Sequence, residues 1–341
     1  MRISTVPIDD PRWSAFVNSH PDAGPFHLPG WASVIADCYR FESFALTAWD
    51  TDGEILAGIP AIAVRSPLGR RGWVSLPFTD SCTPLIRADV AADDVLAAFT
   101  EHTLASQTRE LEVRTTLPPG DDRHAVAVGY MHTMELPRDP DMLHPNKSHR
   151  NLRNRAMRKG VQVAQGRTQQ DVATFYRLHT LTRRRHGVPV QPRRFFDLLW
   201  DRIVAPGHGF VAIATLEGEV QSAAVFLIHN GVLVNKYHGS DPRVRDNGGD
   251  YLIDWEMMVA GCNAGYHTLD LGRSDTGADG LRLYKSLWGA VERPLIYTHI
   301  SRTPPAAHHA SSVSGLSRHV IRRSPPWVCR AIGEVFYRWA A

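Results

Sequence analysis

The segment LDLGRSDTGADGLRLYKSLWG (269–289) holds the densest set of side chains that could take part in chemistry. Asp270 ends a predicted strand, a loop begins at Gly272, and Lys285 falls on a short predicted helix. Loops at the carboxyl ends of strands commonly carry binding and catalytic residues. The chain has four lysines among 38 lysines and arginines, so a lysine beside two aromatic residues is a candidate catalytic group. The alternative is a structural ion pair between Asp270 and Arg273, with Lys285 exposed.

Positive charge is concentrated between Asp141 and Asp171, where the sequence has no acidic residue. Seven cations lie there, most of them on a helix predicted over residues 148–159: Lys147, Arg150, Arg153, Arg155, Arg158, Lys159 and Arg167. Such a helix can hold the phosphates of a nucleotide, a coenzyme or RNA. A solvated helix face without a ligand is the alternative, because charge runs often serve solubility alone. A second basic patch, 183–186, ends the next helix, where cations also complement the helix dipole.

A third candidate feature lies at the predicted start of the helix that begins near residue 250. Arg245, Gly248 and Gly249 precede it, and free backbone N–H groups at a helix N-terminus can receive a phosphate. Asp250 follows directly and could cap the helix. Its negative charge would oppose a diphosphate bound at the same place.

The sequence lacks the motifs that are typical of several classes of enzyme. The chain has no GxSxG nucleophile motif, no Walker loop and no His-rich metal spacing. Its four cysteines (Cys38, Cys82, Cys262 and Cys329) are scattered, which argues against a zinc site or a disulfide framework. The sequence therefore predicts no metal and no tightly bound cofactor. It favours a transfer reaction that depends on positioning and electrostatics.

The sequence also predicts a cytoplasmic location. Acidic residues near the N-terminus are unlike a signal peptide, and the longest apolar run, 55–64, is about ten residues, which is too short to cross a bilayer. A peripheral contact with the inner membrane face remains open through a basic and aromatic amphipathic helix at the C-terminus. Docking of that helix on the same protein is the favoured alternative. The net charge of +3 gives no reason to expect a DNA partner.

The elements that must position these residues show an internal duplication. FALTAWDTDGEILAGIPAIAV (44–64) and FVAIATLEGEVQSAAVFLI (210–228) both read as a strand, an acidic-glycine turn and a strand. In both halves two helices precede this hairpin, and a third strand, a helix and a further strand follow it. The order predicts two copies of one α+β (mixed α/β) unit with a largely antiparallel or mixed sheet.

Several motifs together resemble the FemAB-like branch of the GNAT superfamily, also described as the BioF2-like acetyltransferase domain. These motifs are HRNLRNRAMRKG, FYRLHTLTRRRHGVPVQPRRFF, YHGSDP, LDLGRS and YKSLWG. The likeness covers about residues 147–300, while HLPGWASVIADCYRF and VSLPFTDSCTPL resemble the companion N-terminal unit. It implies tandem GNAT-like (acyl-CoA N-acyltransferase) folds with a C-terminal helical tail. The expected division is 1–142, 143–302, and a linker with an amphipathic helix over 303–341.

The resemblance, together with the charge pattern and loop positions described above, gives expected roles for individual residues. Lys285 in YKSLWG matches a lysine that lies near the transferred group in Fem-type members, and the expected catalytic set is Lys285, Asp270 and Arg273. The expected substrate-binding residues are Arg183, Arg185, Tyr237, Trp31 and Ser274. Those expected to bind donor phosphates are Lys147, Arg150, Arg158, Lys159, Arg245 and Gly248.

The function implied is an acyltransferase that moves an activated acyl or aminoacyl group to an amine. The donor would be aminoacyl-tRNA or acyl-CoA, and the acceptor an amine of a cell-envelope precursor or a small metabolite. The segment that corresponds to the coenzyme A motif of ordinary GNAT enzymes is Arg245-Asp-Asn-Gly248-Gly-Asp250, which matches that motif only in part. One alternative is a non-catalytic accessory protein of envelope or exopolysaccharide assembly with a degenerate GNAT site. Another is an RNA-binding module without chemistry, although the basic region lacks interleaved aromatic residues for stacking bases.

Overall fold

The computed structural model describes residues 1–65, 71–244, 247–305, 319 and 321–337. The chain divides into two compact units: the first contains Met1–Gly129 and a returning segment from Pro294, and the second contains Tyr130–Arg293 and the C-terminal helix. The chain passes between the units within two strands, Arg123–Glu135 and Val291–Ile300. The predicted domain limits at residues 142 and 302 stay a prediction, and most of the predicted linker lies outside the described residues.

The helices and strands have the following bounds. The first unit contains β1 (Arg2–Pro7), α1 (Pro11–Ser19), α2 (Pro29–Tyr39), β2 (Glu42–Trp49), β3 (Ile55–Arg65), β4 (Arg71–Val74), β5 (Leu85–Ile86), α3 (Ala92–Ala105), β6 (Leu111–Val113) and the start of β7 (Arg123–Glu135). The rest of the chain adds α4 (Lys147–Arg158), β8 (Gln162–Gly166), α5 (Gln169–His186), α6 (Arg193–Leu199), β9 (Gly209–Leu216), β10 (Glu219–His229), β11 (Val232–Ser240), α7 (Gly249–Asn263), β12 (Thr268–Ser274), α8 (Asp279–Leu287), β13 (Val291–Ile300) and α9 (Pro326–Phe336).

In the first unit the strand order is β1-β2-β3-β4-β6-β13, with β5 beside β3. Strands β4 and β6 are parallel, and the other neighbours are antiparallel. The predicted hairpin is β2 and β3, whose core-facing residues include Phe44, Leu46 and Ile59. They pack against Phe99 of α3.

In the second unit the order is β7-β12-β11-β10-β9-β8. Strands β11 and β12 are parallel, and the others are antiparallel. The second predicted hairpin is β9 and β10, and its turn residues Glu217 and Gly218 both have positive φ, as a two-residue hairpin turn requires. Phe226 of β10 and Met258 of α7 lie in the core between the sheet and α7.

The predicted duplication is confirmed element by element. In each unit two helices precede a hairpin, a third strand follows, and a helix leads into a strand parallel to that third strand. A mixed α/β fold, with two units of the same element order in tandem and a C-terminal helix, is therefore observed.

Helix α9 docks on the second unit. The Arg184 side chain donates to the carbonyl of Ser324, and the Cys329 thiol donates to the carbonyl of Val188 at 3.3 Å. A Cβ on Gly333 would overlap the carbonyl oxygen of Val190, so only glycine allows this close approach. Contact of this helix with a membrane stays a prediction.

Candidate active site

Strands β11 and β12 separate within the second unit. They pair at three positions, Val232–Val234 with Thr268–Asp270, and both continue beyond that point. Each strand bulges where they part: Lys236 is the unmatched residue of β11, and β12 shifts register between Asp270 and Arg273, where Gly272 has φ 72°. Because the backbones diverge, a cleft opens between two strands that would otherwise be hydrogen-bonded.

A cavity of about 750 Å³ occupies this region. Side chains and backbone from six elements line it: Leu152 and Arg155 of α4; Thr182, Arg185 and His186 of α5; Asn235, Lys236, Tyr237, His238 and Ser240 of β11; Gly248 before α7, then Asp250, Tyr251 and Asp254 of α7; Leu271 of β12; and Gly280, Leu281, Tyr284 and Lys285 of α8. The volume suits a small molecule or one end of a larger one.

Two glycines allow the helices and strands around the cavity to pack closely. A Cβ on Gly239 of β11 would lie 2.6 Å from the backbone nitrogen of His179, so α5 packs directly on the strand. Gly248 has φ 82°, and a Cβ there would lie 3.1 Å from the carbonyl oxygen of Leu152 in α4. Gly248, a predicted phosphate-binding residue, therefore lines the cavity and also has a packing reason to be glycine.

Lys285 lies at the cavity with its ammonium buried. The residue is 6% exposed, and its Nζ donates to the carbonyl oxygens of Gly272 at 2.8 Å and Arg273 at 2.9 Å. These carbonyls belong to the bulge of β12, so Lys285 holds the strand in its diverging path. A positive charge is thereby fixed at the edge of the cleft.

The other predicted catalytic residues flank this bulge and are absent from the cavity lining. The Asp270 carboxylate accepts from the backbone N–H of Gly272 at 2.6 Å. The Arg273 guanidinium pairs with Asp275 at 2.9 Å. Ser274, a predicted substrate-binding residue, is buried at the end of β12. All three lie beside the carbonyls that receive Lys285.

A carboxyl and a phenol form a close pair in the cavity wall. Asp254 of α7 is 3% exposed, and its Oδ2 accepts from the Tyr284 hydroxyl at 2.5 Å. The side-chain amide of Asn235 donates to Oδ1 of Asp254 at 3.0 Å. Burial raises the pKa of Asp254 above its ordinary value. Burial, followed by the charge of Asp254, raises the pKa of Tyr284 well above its ordinary value.

A second acid lies one helical turn before Asp254. Asp250 is in the first turn of α7, and its Oδ1 lies 3.8 Å from Nδ1 of His238 on β11. Both residues line the cavity. A carboxylate therefore occupies the helix N-terminus where a phosphate would otherwise be received, which disfavours a diphosphate at this position.

The residues expected to bind substrate are divided between two surroundings. Arg185 and Tyr237 line the cavity. Arg183 instead donates from Nε to the carbonyl of Pro189 at 2.9 Å. Trp31 belongs to the first unit, where it is fully buried and its indole N–H donates to Oγ1 of Thr79 at 2.7 Å.

The corresponding parallel strands of the first unit, β4 and β6, stay connected beyond their pairing. Strands β4 and β6 pair at two positions, after which the backbone N–H of Ser75 donates to the carbonyl of Glu112 at 2.8 Å. The Arg114 side chain donates to the carbonyl of Thr79 at 2.7 Å. The segments that follow β4 and β6 therefore stay hydrogen-bonded to each other, whereas β11 and β12 part.

The basic helix α4 presents most of its cations to solvent. Lys147, Arg150 and Arg158 are exposed, while Lys159, which follows the helix, donates to the Asn247 side chain at 2.7 Å. Arg155 lines the cavity, so the basic surface is continuous with it. Arg245, the remaining predicted phosphate ligand, lies outside the described residues.

Four residues of the site were not among those predicted from the sequence: Asp254, Tyr284, Asn235 and His238. Two signals pointed toward them: Asp250 and Asp254 are four residues apart, on one face of a helix, and Tyr284 adjoins Lys285. Within the described ranges, no group of His, Cys, Asp and Glu is arranged to hold a metal ion, and no helix is long and apolar enough to cross a membrane.

Comparisons with known proteins agree with this architecture. Residues 146–286 match the family model described as an acetyltransferase (GNAT) domain. No curated protein matched the sequence. The crystal structure of FemX is similar at a TM-score of 0.71 and 14% identity, covering 89% of this chain and 98% of FemX.

Two further structures share the fold. One is a C-terminal domain named as that of a lysylphosphatidylglycerol synthetase from Agrobacterium fabrum (TM-score 0.57, 12% identity, 91% of this chain and 95% of that one). The other is a tandem GNAT protein from the clavulanic acid biosynthesis pathway (TM-score 0.51, 11% identity, 89% and 100%). At these identities the likenesses concern the fold. Residues 146–286 thus match a GNAT-type domain, and the chain has the tandem GNAT fold that its motifs predicted.

Proposed function

We propose that the second unit transfers an activated acyl or aminoacyl group to an amine, with the cavity between β11 and β12 as the active site. The supporting observation is the cleft where these strands part, which is lined by a buried ammonium and a carboxyl–phenol pair inside the GNAT domain. The acceptor would be an amine of a cell-envelope precursor or of a small metabolite.

The reaction requires the protein mainly to position the two substrates and to stabilise the charge that develops between them. The amine nitrogen attacks the carbonyl carbon, a carbon–nitrogen bond forms, and the bond from that carbon to the donor's leaving atom breaks. Negative charge develops on the carbonyl oxygen during attack, and a preorganised positive charge stabilises it without solvent reorganisation. Lys285 supplies such a charge, because two backbone carbonyls fix its ammonium at the cleft.

The charges around the cavity favour an aminoacyl ester over acyl-CoA as donor. Asp250 opposes a diphosphate at the start of α7. Exposed cations of α4, joined to the cavity through Arg155, suit the repeated phosphates of RNA. Lys147, Arg150 and Arg158 would contact the donor backbone, with Arg185 and Tyr237 facing the acceptor.

The test is a comparison of donors. The protein is incubated with tRNA carrying a radiolabelled amino acid or with labelled acetyl-CoA, and label is followed into lysine derivatives and peptidoglycan precursors. We expect transfer from charged tRNA, with donor affinity that falls steeply as salt rises because several phosphate contacts release counterions. Transfer from acetyl-CoA alone would reject the tRNA donor. Transfer from neither donor would reject the proposed function.

A further inference from the structure

An amine acceptor must lose a proton before it can act as a nucleophile. An alkylamine such as a lysine side chain has a pKa of about 10.4, so it reaches the site at neutral pH as an ammonium ion. A base within hydrogen-bonding reach of that ion can accelerate the reaction by about 10²–10⁴-fold. The cavity should therefore contain a group able to take this proton.

The Asp254–Tyr284 pair has the geometry of a proton relay. Both residues line the cavity, and the phenol already donates to the carboxylate at 2.5 Å. Asn235, a positioning residue, fixes the other carboxylate oxygen at 3.0 Å. When the phenol oxygen of Tyr284 receives a proton, the phenol can therefore pass its own proton to the Asp254 carboxylate.

The charged side chains around the cavity are compatible with an ionised Asp254 carboxylate and with an acceptor ammonium that enters beside it. Asp250 on the same helix adds negative potential, and positive groups face the cavity from the neighbouring elements. The cations are Lys236 of β11, Lys285 of α8, Arg155 of α4 and Arg185 of α5, and the imidazoles of His186 and His238 also face the cavity. The two acids lie together on the α7 wall, so that wall is where an ammonium would be attracted.

Resting on the proposed function, we infer that Tyr284 and Asp254 deprotonate the acceptor ammonium, with Tyr284 as the residue that touches the amine. The Tyr284 oxygen takes a proton from the ammonium nitrogen as its own proton passes to the Asp254 carboxylate. This step gives a neutral amine, a neutral phenol and a carboxylic acid. The amine then attacks the donor carbonyl, its second proton passes to the leaving group, and Asp254 returns its proton to water.

The pKa directions agree with these roles. Burial raises the pKa of Asp254, which makes its carboxylate a stronger base than an exposed aspartate. The raised pKa of Tyr284 keeps the phenol protonated at neutral pH, so it acts as a conduit that returns to its starting state. The fall in reaction rate at low pH should therefore follow the protonation of Asp254.

The experiment compares the pH dependence of Tyr284→Phe and Asp254→Asn with that of the wild type. The donor is the one that supports transfer in the donor comparison above, and the acceptors are Nα-acetyl-lysine methylamide, which is an ammonium at neutral pH, and methoxyamine, which is not. The control is Tyr176→Phe, because this phenol is also buried in the second unit but donates to the Gln191 carbonyl outside the cavity. Thermal unfolding of each variant checks that it is folded.

We expect both variants to lose about 10²-fold or more in kcat/KM for the lysine derivative at neutral pH. Their rates should rise tenfold per pH unit toward the amine pKa, whereas the wild-type rate stays nearly level. With methoxyamine the variants should match the wild type, and Tyr176→Phe should be unaffected with either acceptor. Folded variants whose pH profiles run parallel to the wild type would overturn the relay alone. A wild type inactive with both acceptors would overturn the proposed function as well.

Discussion

Replacing Lys285 with methionine tests whether this ammonium holds the bulge of β12. Its Nζ donates to two backbone carbonyls, those of Gly272 and Arg273, at 2.8 and 2.9 Å. Methionine fills a similar volume but cannot donate, so both carbonyls lose a hydrogen-bond partner. The variant should lose stability even where substrate plays no part.

The magnitude follows from these two bonds. A buried acceptor left without a partner costs about 1–3 kcal/mol, so two such carbonyls cost about 2–6 kcal/mol. Removing a buried charge recovers part of this, because the ammonium no longer has to be desolvated on folding. The expected net loss in free energy of unfolding is about 2–4 kcal/mol.

Urea unfolding followed by tryptophan fluorescence measures this loss. Lys236→Met is the control, since Lys236 lines the same cavity but is partly exposed, with its Nζ 5.6 Å from the Tyr237 ring. That change should cost less than about 1 kcal/mol. A Lys285→Met protein within about 0.5 kcal/mol of the wild type would refute the structural role of the ammonium.

Two further predictions concern the cavity walls. Because burial raises the pKa of Asp254, the folded protein holds this proton more tightly than the unfolded chain, and the carboxylate costs stability once pH exceeds the folded pKa. Asp254→Asn should therefore be more stable than the wild type at pH 7, by about 1.4 kcal/mol for each unit of pKa difference between the folded and unfolded states. Urea titrations should show that this gain in stability shrinks toward pH 4. A gain independent of pH would contradict the buried charge. Gly239→Ala should lose about 1–3 kcal/mol, because the new methyl would meet backbone atoms of Leu178 and His179. Gly277→Ala, which meets nothing within 4 Å, is the control, and equal unfolding midpoints for the two would exclude the close packing of α5 on β11.

The duplication could be predicted because its signals are local. Alternating apolar residues on both sides of an acidic-glycine turn specify a hairpin without knowledge of distant contacts, and β2–β3 and β9–β10 formed as expected. Strand β1 was missed because Val6 is its one buried residue, so the sequence shows no clear alternation. Strand β7 begins at Arg123, and most of its residues before Gly129 are only partly buried, so they give a weak strand signal in the sequence.

The candidate site was predicted in part: Arg185, Tyr237 and Gly248, which were among the expected binding residues, line the cavity. Lys285 was singled out by the rarity of lysine, and it lies at the cavity. Asp254 could not be identified, because its partners Asn235 and Tyr284 come from a strand before it and a helix after it. The alternative of an ion pair between Asp270 and Arg273 also depends on loop geometry, in which Asp270 accepts from the Gly272 backbone and Arg273 pairs with Asp275.

Blocking the cavity tests most directly whether the second unit carries the transfer site. Gly280 lines the cavity at the start of α8, and a Cβ there would meet nothing within 4 Å, so the first side-chain atom of Gly280→Trp has room and its indole should obstruct the site. Gly277 in the preceding loop is equally open but does not line the cavity, which makes Gly277→Trp the matched control. In the labelled aminoacyl-tRNA assay we predict that Gly280→Trp abolishes transfer and that Gly277→Trp retains it. Wild-type transfer by Gly280→Trp would contradict the assignment of this cavity as the active site.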